Sequence, residues 1–140
     1  MKSYDTYKEL IVDKLNTLSG VSIIEGWLIA YADELQRGTD GKSFPAVSTT
    51  LDVDDVKQQR GSLNSTTSRT VSIVCAVSMI DNKENVVQEL ERLVFDVKCA
   101  IADERKLTIN SIKYMLPENR IDYAMCEIKA IINFNETWTK

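Results

Sequence analysis

The sequence predicts an α+β fold: two helices packed on a mainly antiparallel sheet of about four or five strands, with a long polar arm or hairpin. Three observations support this prediction. The 140 residues have the usual size of one domain and the composition of a globular protein. Apolar residues recur at the helical period in two segments and alternate at the strand period in several others. These segments follow one another as helix, strands, helix, strands, so we expect one domain over residues 1–140.

An amphipathic first helix is predicted over residues 4–18, with charged residues on the side opposite the apolar positions. The apolar positions at helical spacing are Tyr7, Ile11, Leu15 and Leu18. Ser3 has a side chain suited to the N-cap. Gly20 lies just past the last apolar position, where a left-handed residue commonly ends a helix. We therefore expect the helix to end at this glycine.

The next segment, residues 21–32, is rich in β-branched and aromatic residues, which favours a strand with a bulge at Gly26. A helix over residues 26–35 is the alternative. Trp27 has apolar neighbours and is expected in the core. Residues 36–43 contain two glycines and an aspartate, so a turn-rich loop is predicted there.

A second strand is expected to begin at Phe44-Pro45-Ala46-Val47, since proline suits the start or the edge of a strand. Alternation then places four residues on one buried face: Val47, Thr49, Leu51 and Val53. Residues 54–69 are polar and nearly free of large apolar groups, so they should contribute little to a core. Connections of this length in a compact domain are usually functional or disordered, and we expect a mobile arm or an extended hairpin.

The strongest strand pattern covers residues 70–80, where a central strand is predicted. Asp81 and Asn82 then supply side chains that cap helices. Apolar residues recur at the helical period through residues 85–102, which predicts the second helix. Its outer face is charged, so we expect it to lie across one face of the sheet.

Two further strands are predicted, over residues 107–115 and residues 123–134. Residues 117–120 form the turn between them, and residues 135–140 form a polar tail. Polar residues on the strands allow one face of the sheet to meet solvent, as antiparallel sheets often do.

Composition argues against several classes of function. The formal net charge of -4 and the pI near 4.9 argue against broad electrostatic binding to nucleic acid. No apolar run approaches the roughly 20 residues that span a bilayer, and the first residues lack a signal peptide, so a soluble protein that does not bind membranes is expected. Histidine, the commonest general base, does not occur, and the five glycines fit no nucleotide-binding loop. We expect no catalytic residues, no cofactor and no metal.

The chain has three cysteines: Cys75, Cys99 and Cys126. They are odd in number, widely spaced and set in apolar surroundings, so a disulfide framework or a zinc site is not expected. Buried thiols in a reducing cytosol are the better interpretation. Cys75 has no histidine to activate its thiolate, and we expect it to pack in the core.

Charged and aromatic residues near the arm are candidates for binding sites. The acidic cluster consists of Asp52, Asp54 and Asp55. It lacks the glycine and the final glutamate of a calcium loop, so a solvated loop is expected. The basic residues are Lys42, Lys57, Arg60 and Arg69. No aromatic residues interleave with them to stack bases, which favours a charged loop over a nucleic-acid contact. Trp138 is either an intersubunit anchor or an exposed or locally packed side chain.

The order of these elements resembles the tail terminator, or minor tail protein, family of long-tailed bacteriophages. The matching features are the opening helix ending in Leu18-Ser19-Gly20, the Phe44-Pro45-Ala46-Val47 strand entry, the polar arm at residues 54–69 before the strand at 70–80, Asp81 leading into residues 86–102, and the last strand at 123–134. The resemblance spans most of the chain and rests on the order and spacing of the elements together.

The resemblance implies a structural virion protein with no catalytic residues. Proteins of this family form rings, typically hexameric, that cap the finished tail tube, stop its polymerisation and present a surface for joining the head. The implied partners are further copies of the chain, the tail tube protein and a head-tail connector or neck protein. DNA would pass through the ring without specific binding, and no membrane takes part. The implied location is the virion tail, assembled in the host cytoplasm.

A closed ring needs heterologous interfaces, in which one patch of a subunit meets a different patch of the next. A strand edge near residues 47–53 is expected to pair with a neighbour, and the arm at residues 54–69 to become ordered on contact with the tube or the next subunit. The predicted interface residues are Val47, Thr49, Leu51, Val53, Lys57, Arg60, Leu63, Arg69 and Trp138. An arm that faces DNA should be basic, whereas Asp52-Val53-Asp54-Asp55 is acidic, which argues against a DNA-facing role.

Two alternatives remain open. The first is another connector of the same virion, a head-tail joining or neck protein, which would differ in its ring partners. The second is a small cytosolic protein-binding module whose arm engages a peptide or ligand. A stable monomer with one ligand pocket would favour the second.

Overall fold

The computed structural model describes residues 3–38, 41–102, 107–115 and 122–139. Within these ranges, helices accompany a five-stranded, mostly antiparallel sheet, so the predicted α+β class is confirmed. The turn predicted over residues 117–120 lies outside the described residues.

The sheet has the strand order β1-β2-β3-β5-β4. Its strands are β1 (Ser22–Glu25), β2 (Ala46–Gln58), β3 (Asn64–Ser78), β4 (Leu107–Met115) and β5 (Tyr123–Thr137). β1 pairs with β2 in parallel, and the other pairs are antiparallel. β3 and β5 have 15 residues each and pair along their whole length. The predicted central strand is therefore confirmed as β3. It begins at Asn64, inside the predicted arm, whereas the sequence predicted a start at residue 70.

The first helix, α1, is made of three consecutive segments: Ser3–Tyr7 and Asp13–Leu15 are α-helical, and Lys8–Val12 is π-helical. It ends at Leu15, earlier than predicted. The hydroxyl of Thr17 donates to the carbonyl oxygen of Lys14 at 2.6 Å, and such side-chain bonds compete with the helical ladder.

The two cap predictions for α1 are wrong. Ser3 is itself helical, so it is not the residue before the helix. Gly20 has a left-handed φ of 69°, but a turn separates it from the last helical residue.

The strand predicted over residues 21–32 is wrong beyond Glu25. After Gly26 the chain forms a 3₁₀ turn (Leu28–Tyr31) and a short helix, α2 (Ala32–Arg37), close to the alternative of a helix over residues 26–35. The buried residues of this stretch have helical spacing: Leu28, Ala32 and Leu35. Helical periodicity therefore prevails over β-branched composition. Trp27 lies outside the buried stripe and is 67% exposed, so its predicted core position is wrong.

β2 and β3 form one long hairpin, which confirms the extended-hairpin alternative for residues 54–69. β2 begins at Ala46, directly after the cis Phe44–Pro45 peptide, as the strand-entry prediction requires. The register with β3 shifts between Leu51 and Val53, which marks a bulge at Asp52. A bulge adds one residue, so Val53 faces the side opposite the one that simple alternation predicts.

The helix predicted over residues 85–102 is confirmed as α3 (Val86–Ile101). The predicted capping role of Asp81 and Asn82 is wrong, because both lie in the preceding turn. The Asn82 amide donates to the carbonyl oxygen of Ser78 at 2.9 Å, which uses its side chain within that turn.

Helices α1 and α3 cover one face of the sheet, and the main core lies between these two helices and that face. Its sheet residues alternate along β3 and β5: Val71, Ile73, Cys75, Cys126, Ile128, Ala130 and Ile132. On the other face, α2 covers one end of the sheet above Ala46, Ala76 and Tyr123. Phe44 stacks on Tyr123 there, with ring centroids 5.5 Å apart. We call the remainder of this second face, formed mainly by residues 64–72 and 127–137, the open face.

Candidate functional site

The outer side of β2 is covered over only part of its length. β1 pairs with residues 46–49, and the amide of Gly26 adds one more bond, to the carbonyl oxygen of Thr49 at 2.9 Å. Beyond that point no strand among the described residues pairs with this side of β2, and residues 51–58 are all exposed. We call residues 51–58 the free edge. An unpaired strand edge presents backbone donors and acceptors to an incoming strand.

Large apolar side chains are exposed on and beside the free edge. Leu51, Val53 and Val56 lie on it, and Val53 is 58% exposed. Trp27 and Ile29 follow Gly26, the residue that bonds to β2 where the free edge begins. Exposed tryptophan and aliphatic side chains next to an unpaired edge are typical of a protein interaction surface.

Arg69 of β3 ties the distal hairpin to the rest of the molecule. Its Nε and Nη2 donate to Oδ1 and Oδ2 of Asp54, both at 2.7 Å, in the bidentate geometry that gives strong ion pairs. Its Nη1 donates to the carbonyl oxygen of Ser3 at 2.8 Å, and the guanidinium lies 5.4 Å from the centroid of the Phe134 ring. Arg69 is 6% exposed, so it joins β2, β3, β5 and α1 from inside.

These contacts shift the pKa of each ionised group around Arg69. The hydrogen bonds from Arg69 lower the pKa of Asp54, and the same bonds raise the pKa of Arg69. Desolvation by itself would raise the pKa of Glu136. Hydrogen bonds from Trp138 and Ser3 and the charge of Arg69 outweigh it, and the pKa of Glu136 is lowered. The surroundings of Asp54, Arg69 and Glu136 therefore stabilise the charged forms of these side chains, which hold the arm in place.

The inner face of the arm is more buried than its polar sequence suggests. Ser65 and Thr67 are buried as well as Arg69. Ser65 Oγ donates to the carbonyl oxygen of Glu136 at 3.4 Å. Neither hydrophobic cluster of the described residues includes any of residues 54–69, so the prediction that this stretch contributes little to a core is confirmed, although the β3 half has buried polar residues.

The acidic residues of the arm have separate environments. Asp52 binds Lys129 of β5 at 2.6 Å, and Asp54 binds Arg69. Asp55 forms no ion pair with a described residue, so its charge is not neutralised within that part of the chain. The hypothesis of a solvated acidic loop is thus wrong for Asp52 and Asp54, because both lie on a strand and pair with cations.

The basic residues predicted to form a patch near the arm do not lie together. Arg69 is buried, and Lys42 lies beside α2, 4.0 Å from a carboxylate oxygen of Glu34 and 4.8 Å from the Tyr31 ring centroid. The other two cations, Lys57 and Arg60, are exposed at the end of the hairpin. The predicted basic patch is therefore wrong, because Lys42 precedes β2 and lies beside α2, whereas Lys57 and Arg60 lie at the far end of the hairpin.

Leu63 and Trp138 meet at the tip of the arm. The backbone amide of Trp138 donates to the carbonyl oxygen of Leu63 at 2.8 Å, and its indole Nε1 donates to Glu136 at 2.9 Å. Leu63 is 56% exposed and Trp138 is 43% exposed. Residues 135–137, predicted as the start of a polar tail, belong to β5, because they pair with residues 64–66.

Short polar side chains pair across the open face. Ser68 donates to Asn133 at 2.7 Å, and Thr66 donates to Asn135 at 2.9 Å. Cross-strand pairs of this kind stabilise a sheet and leave a polar surface. The open face is therefore polar, as the polar residues on the strands allow.

An apolar groove lies between α3 and β4, at the other end of β5 from the arm. Its lining residues are Met79, Val86, Val87, Leu90, Glu91, Tyr114, Met115 and Ala124. Desolvation raises the pKa of Tyr114, and the charge of Glu91 adds to the shift. The strand rise places Ala124 at the groove roughly 40 Å from Glu136 at the arm. The two surfaces thus lie at opposite ends of the molecule.

The cysteines differ in exposure. Cys75 and Cys126 lie directly opposite each other in the core, where burial raises the pKa of both thiols, that of Cys126 to about 11. Cys99 is exposed on α3, so the prediction that all three are buried is wrong for this residue. It lies outside the buried stripe of that helix.

The described residues contain no cluster of three or more side chains of the types that bind metal ions. In the same ranges, no helix has the length and apolar character needed to cross a membrane.

The structure separates the predicted interface residues into two groups. Exposed residues are Leu51, Val53, Lys57, Arg60, Leu63 and Trp138. Val47, Thr49 and Arg69 are buried. β1 covers the edge at Val47 and Thr49, and the hydroxyl of Tyr7 donates to the carbonyl oxygen of Thr49 at 3.2 Å. The available edge therefore begins at Leu51, four residues later than predicted.

Several exposed apolar residues were missed in the sequence. They are Trp27, Ile29, Val87, Phe95 and Tyr114. Val87 and Phe95 carry a usable signal, because they lie eight positions apart on α3 and outside its buried stripe. Trp27 follows a glycine with φ 133°, which only the structure reveals.

No family model matches the chain, and no curated protein matches it. Function is therefore inferred from the surfaces described above, together with the order of the elements.

Proposed function

We propose that this chain is a ring-forming structural protein of a bacteriophage tail, a terminator that caps the tail tube and offers the surface for joining the head. The observation that carries the proposal is that the sheet has two unlike unpaired edges. One is the free edge of β2. The other is the outer side of β4, which pairs only with β5 among the described residues. Identical subunits with two different contact edges associate head to tail, and such contacts close into a ring when the rotation allows.

The order of the elements supports the tail assignment. An opening helix, a strand that begins after Phe44–Pro45, a long hairpin, a single long helix and a long last strand are the features that resemble the tail terminator family. In the proposed ring, the partners are further copies of the chain, the tail tube protein and a neck protein. The protein supplies contact surfaces, and the proposal assigns it no reaction.

The exposed residues of the arm support a contact role. Leu63 and Trp138 form an apolar tip with the cations Lys57 and Arg60 nearby in the hairpin. Arg69 joins this arm to β2 and α1 through its hydrogen bonds to Asp54 and Ser3. An element that is already folded loses little conformational entropy on binding, which favours a built contact element over a disordered tail.

The mass of the untagged protein in solution tests the proposal. Light scattering over a concentration series, with and without a tail tube protein, should give a closed oligomer near six subunits, alone or on the tube. Electron micrographs of the same sample should show rings at the ends of tubes. A monomer that ignores tube protein at every concentration would count against the terminator function.

A pair of surface variants sharpens this test. Trp27→Ser should reduce the fraction of subunits that assemble into rings. It should leave the midpoint of urea unfolding unchanged, because the side chain is exposed beside the free edge. Ile80→Ser is the matched control, since Ile80 is equally exposed but lies in the turn after β3. If the two variants assemble into rings to the same extent, Trp27 does not lie in the interface between subunits.

A small protein-binding module is the second candidate. The groove between α3 and β4 favours it, because apolar grooves lined by aliphatic and aromatic side chains accept apolar segments of partner proteins. This candidate predicts a stable monomer whose partner protects Val87 and Tyr114 from solvent. A neck protein of the same virion would form a ring that binds the head connector in place of the tube.

A further inference from the structure

We infer that the free edge of β2 in one subunit pairs with the outer edge of β4 in the next subunit, so that one sheet continues across the contact. This inference deepens the proposed ring and rests on it. The occupant of the free edge is thus a defined strand of a second copy of this chain, residues 107–115.

Length and direction fit this pairing. The free edge, residues 51–58, and β4, with 9 residues, have nearly the same length. Each step along β2, β3, β5 and β4 is antiparallel, so β4 runs opposite to β2. A rotation about an axis along the strands keeps every strand direction. The β4 strand of the next subunit therefore meets the free edge in the antiparallel sense, which is the slightly more stable arrangement.

Charge distinguishes the two edges. The free edge has three acidic residues and one lysine, and Asp55 remains unneutralised among the described residues. β4 has Lys113 as its single charged residue. Lys113 forms no ion pair within the described part of the chain, so its charge is available to an acidic neighbour. Opposite charges on facing strands stabilise a sheet, and like charges destabilise it.

A symmetric contact between two free edges is disfavoured by the same rule. Residues directly opposite each other in an antiparallel pair share a face, so a two-fold axis at Asp55 places this unneutralised carboxylate opposite its own copy. Like charges then face each other across the new ladder. Pairing of β2 with β4 avoids this repulsion and leaves a second pair of edges free for the next subunit.

Cross-linking between two different cysteine variants tests the pairing. In a Cys99→Ser background the remaining native thiols, Cys75 and Cys126, are buried. Val53→Cys places a thiol on the free edge and Ser111→Cys places one on β4, both at exposed positions. A flexible bis-maleimide tolerates a small error in register. We expect covalent dimers when the two variants are mixed and none from either variant alone.

The matched control replaces Ser111→Cys by Ser19→Cys, an exposed position outside both edges. Dimers from Val53→Cys alone would establish symmetric pairing and overturn the inference, as would a mixed yield no higher than that of the Ser19→Cys control.

The oligomer mass of the same samples separates this inference from the proposed function. A ring near six subunits without the mixed product means that the pairing is wrong and the ring stands. Mixed product from a chain that never binds tube protein means that the pairing stands and the terminator function fails. Monomers without product overturn both.

Discussion

Arg69 and Asp54 show how single residues fix the shape of this molecule. The guanidinium is buried, and its bonds reach a strand, a helix start and an aromatic ring that are far apart in the sequence. Removing one partner of such a pair leaves a poorly solvated charge without compensation. The pair therefore holds the arm against α1, and its strength should depend on the ionisation of Asp54.

Acid should weaken this pair, and Asp54→Asn should reveal how much. The folded pKa of Asp54 lies below its unfolded pKa of about 4, so the carboxylate stabilises the fold above pH 4 and the contribution is lost as the pH falls through the folded pKa. At pH 7 the variant should lose about 1 kcal/mol of unfolding free energy, below the usual value for hydrogen bonds to charged groups because solvent screens the partly exposed Asp54 carboxylate.

Urea unfolding of the wild type and of Asp54→Asn from pH 7 to pH 3 measures this effect. The difference between the two midpoints should shrink on acidification, because the protonated carboxyl resembles the amide. A difference that is constant over the whole range would contradict the assigned role of Asp54.

At the scale of elements, the free edge should be visible in hydrogen exchange. Successive amides of a strand point to opposite sides, so alternate amides of residues 53–57 bond to β3 and the others point outward. In the isolated subunit the outward amides should exchange far faster than those of β3, which has strands on both sides. Assembly should slow the outward amides of β2 and leave the β3 amides unchanged. Slow exchange at all of these positions in the monomer would show that the edge is already covered.

The elements that the sequence predicts well are those with a regular apolar pattern. Residues 70–78 have an apolar residue at every second position and residues 86–101 repeat at the helical period, so each pattern has one interpretation. Residues 21–37 combine β-branched composition with helical spacing, and the turn at Gly26 decides between them. The bulge at Asp52 depends on pairing with β3, and a pattern within one strand does not contain that information.

The candidate site was predictable only in part, for the same reason. The exposure of Leu63 follows from the polar stretch in which it lies. Leu51 was predicted on a buried face and is exposed, because β1 pairs only with residues 46–49. The burial of Arg69 depends on Asp54 and Ser3, the second of which is 66 positions away in the chain. Coverage of Val47 by β1 requires a parallel pair that the predicted antiparallel sheet did not include.

At the scale of the whole molecule, the two apolar clusters should unfold together. Ala46 and Val47 are neighbours on β2, yet they belong to the clusters on opposite faces, as do Ala76 and Cys75 on β3. Neither cluster can open without loss of strands that the other needs. We therefore expect one two-state transition, as is usual for a domain of this size.

Two probes of urea unfolding check this expectation. In a Trp138→Phe variant, the fluorescence of Trp27 reports on the α2 side, while far-UV circular dichroism reports on the whole chain. The two curves should coincide within error. An earlier fluorescence transition would show that α2 and its cluster unfold as a separate unit.

The meeting of Ser3 with Glu136 has a practical consequence for anyone who labels this protein. The backbone amide of Ser3 donates to the Glu136 carboxylate, so the two ends of the described chain lie close together beside the arm. A fusion partner or affinity tag at either end emerges at the same corner as Leu63 and Trp138, within reach of the surfaces that an incoming subunit would use. Moving a tag from one terminus to the other therefore changes little, and a label attached at Cys99 on α3 avoids that corner altogether.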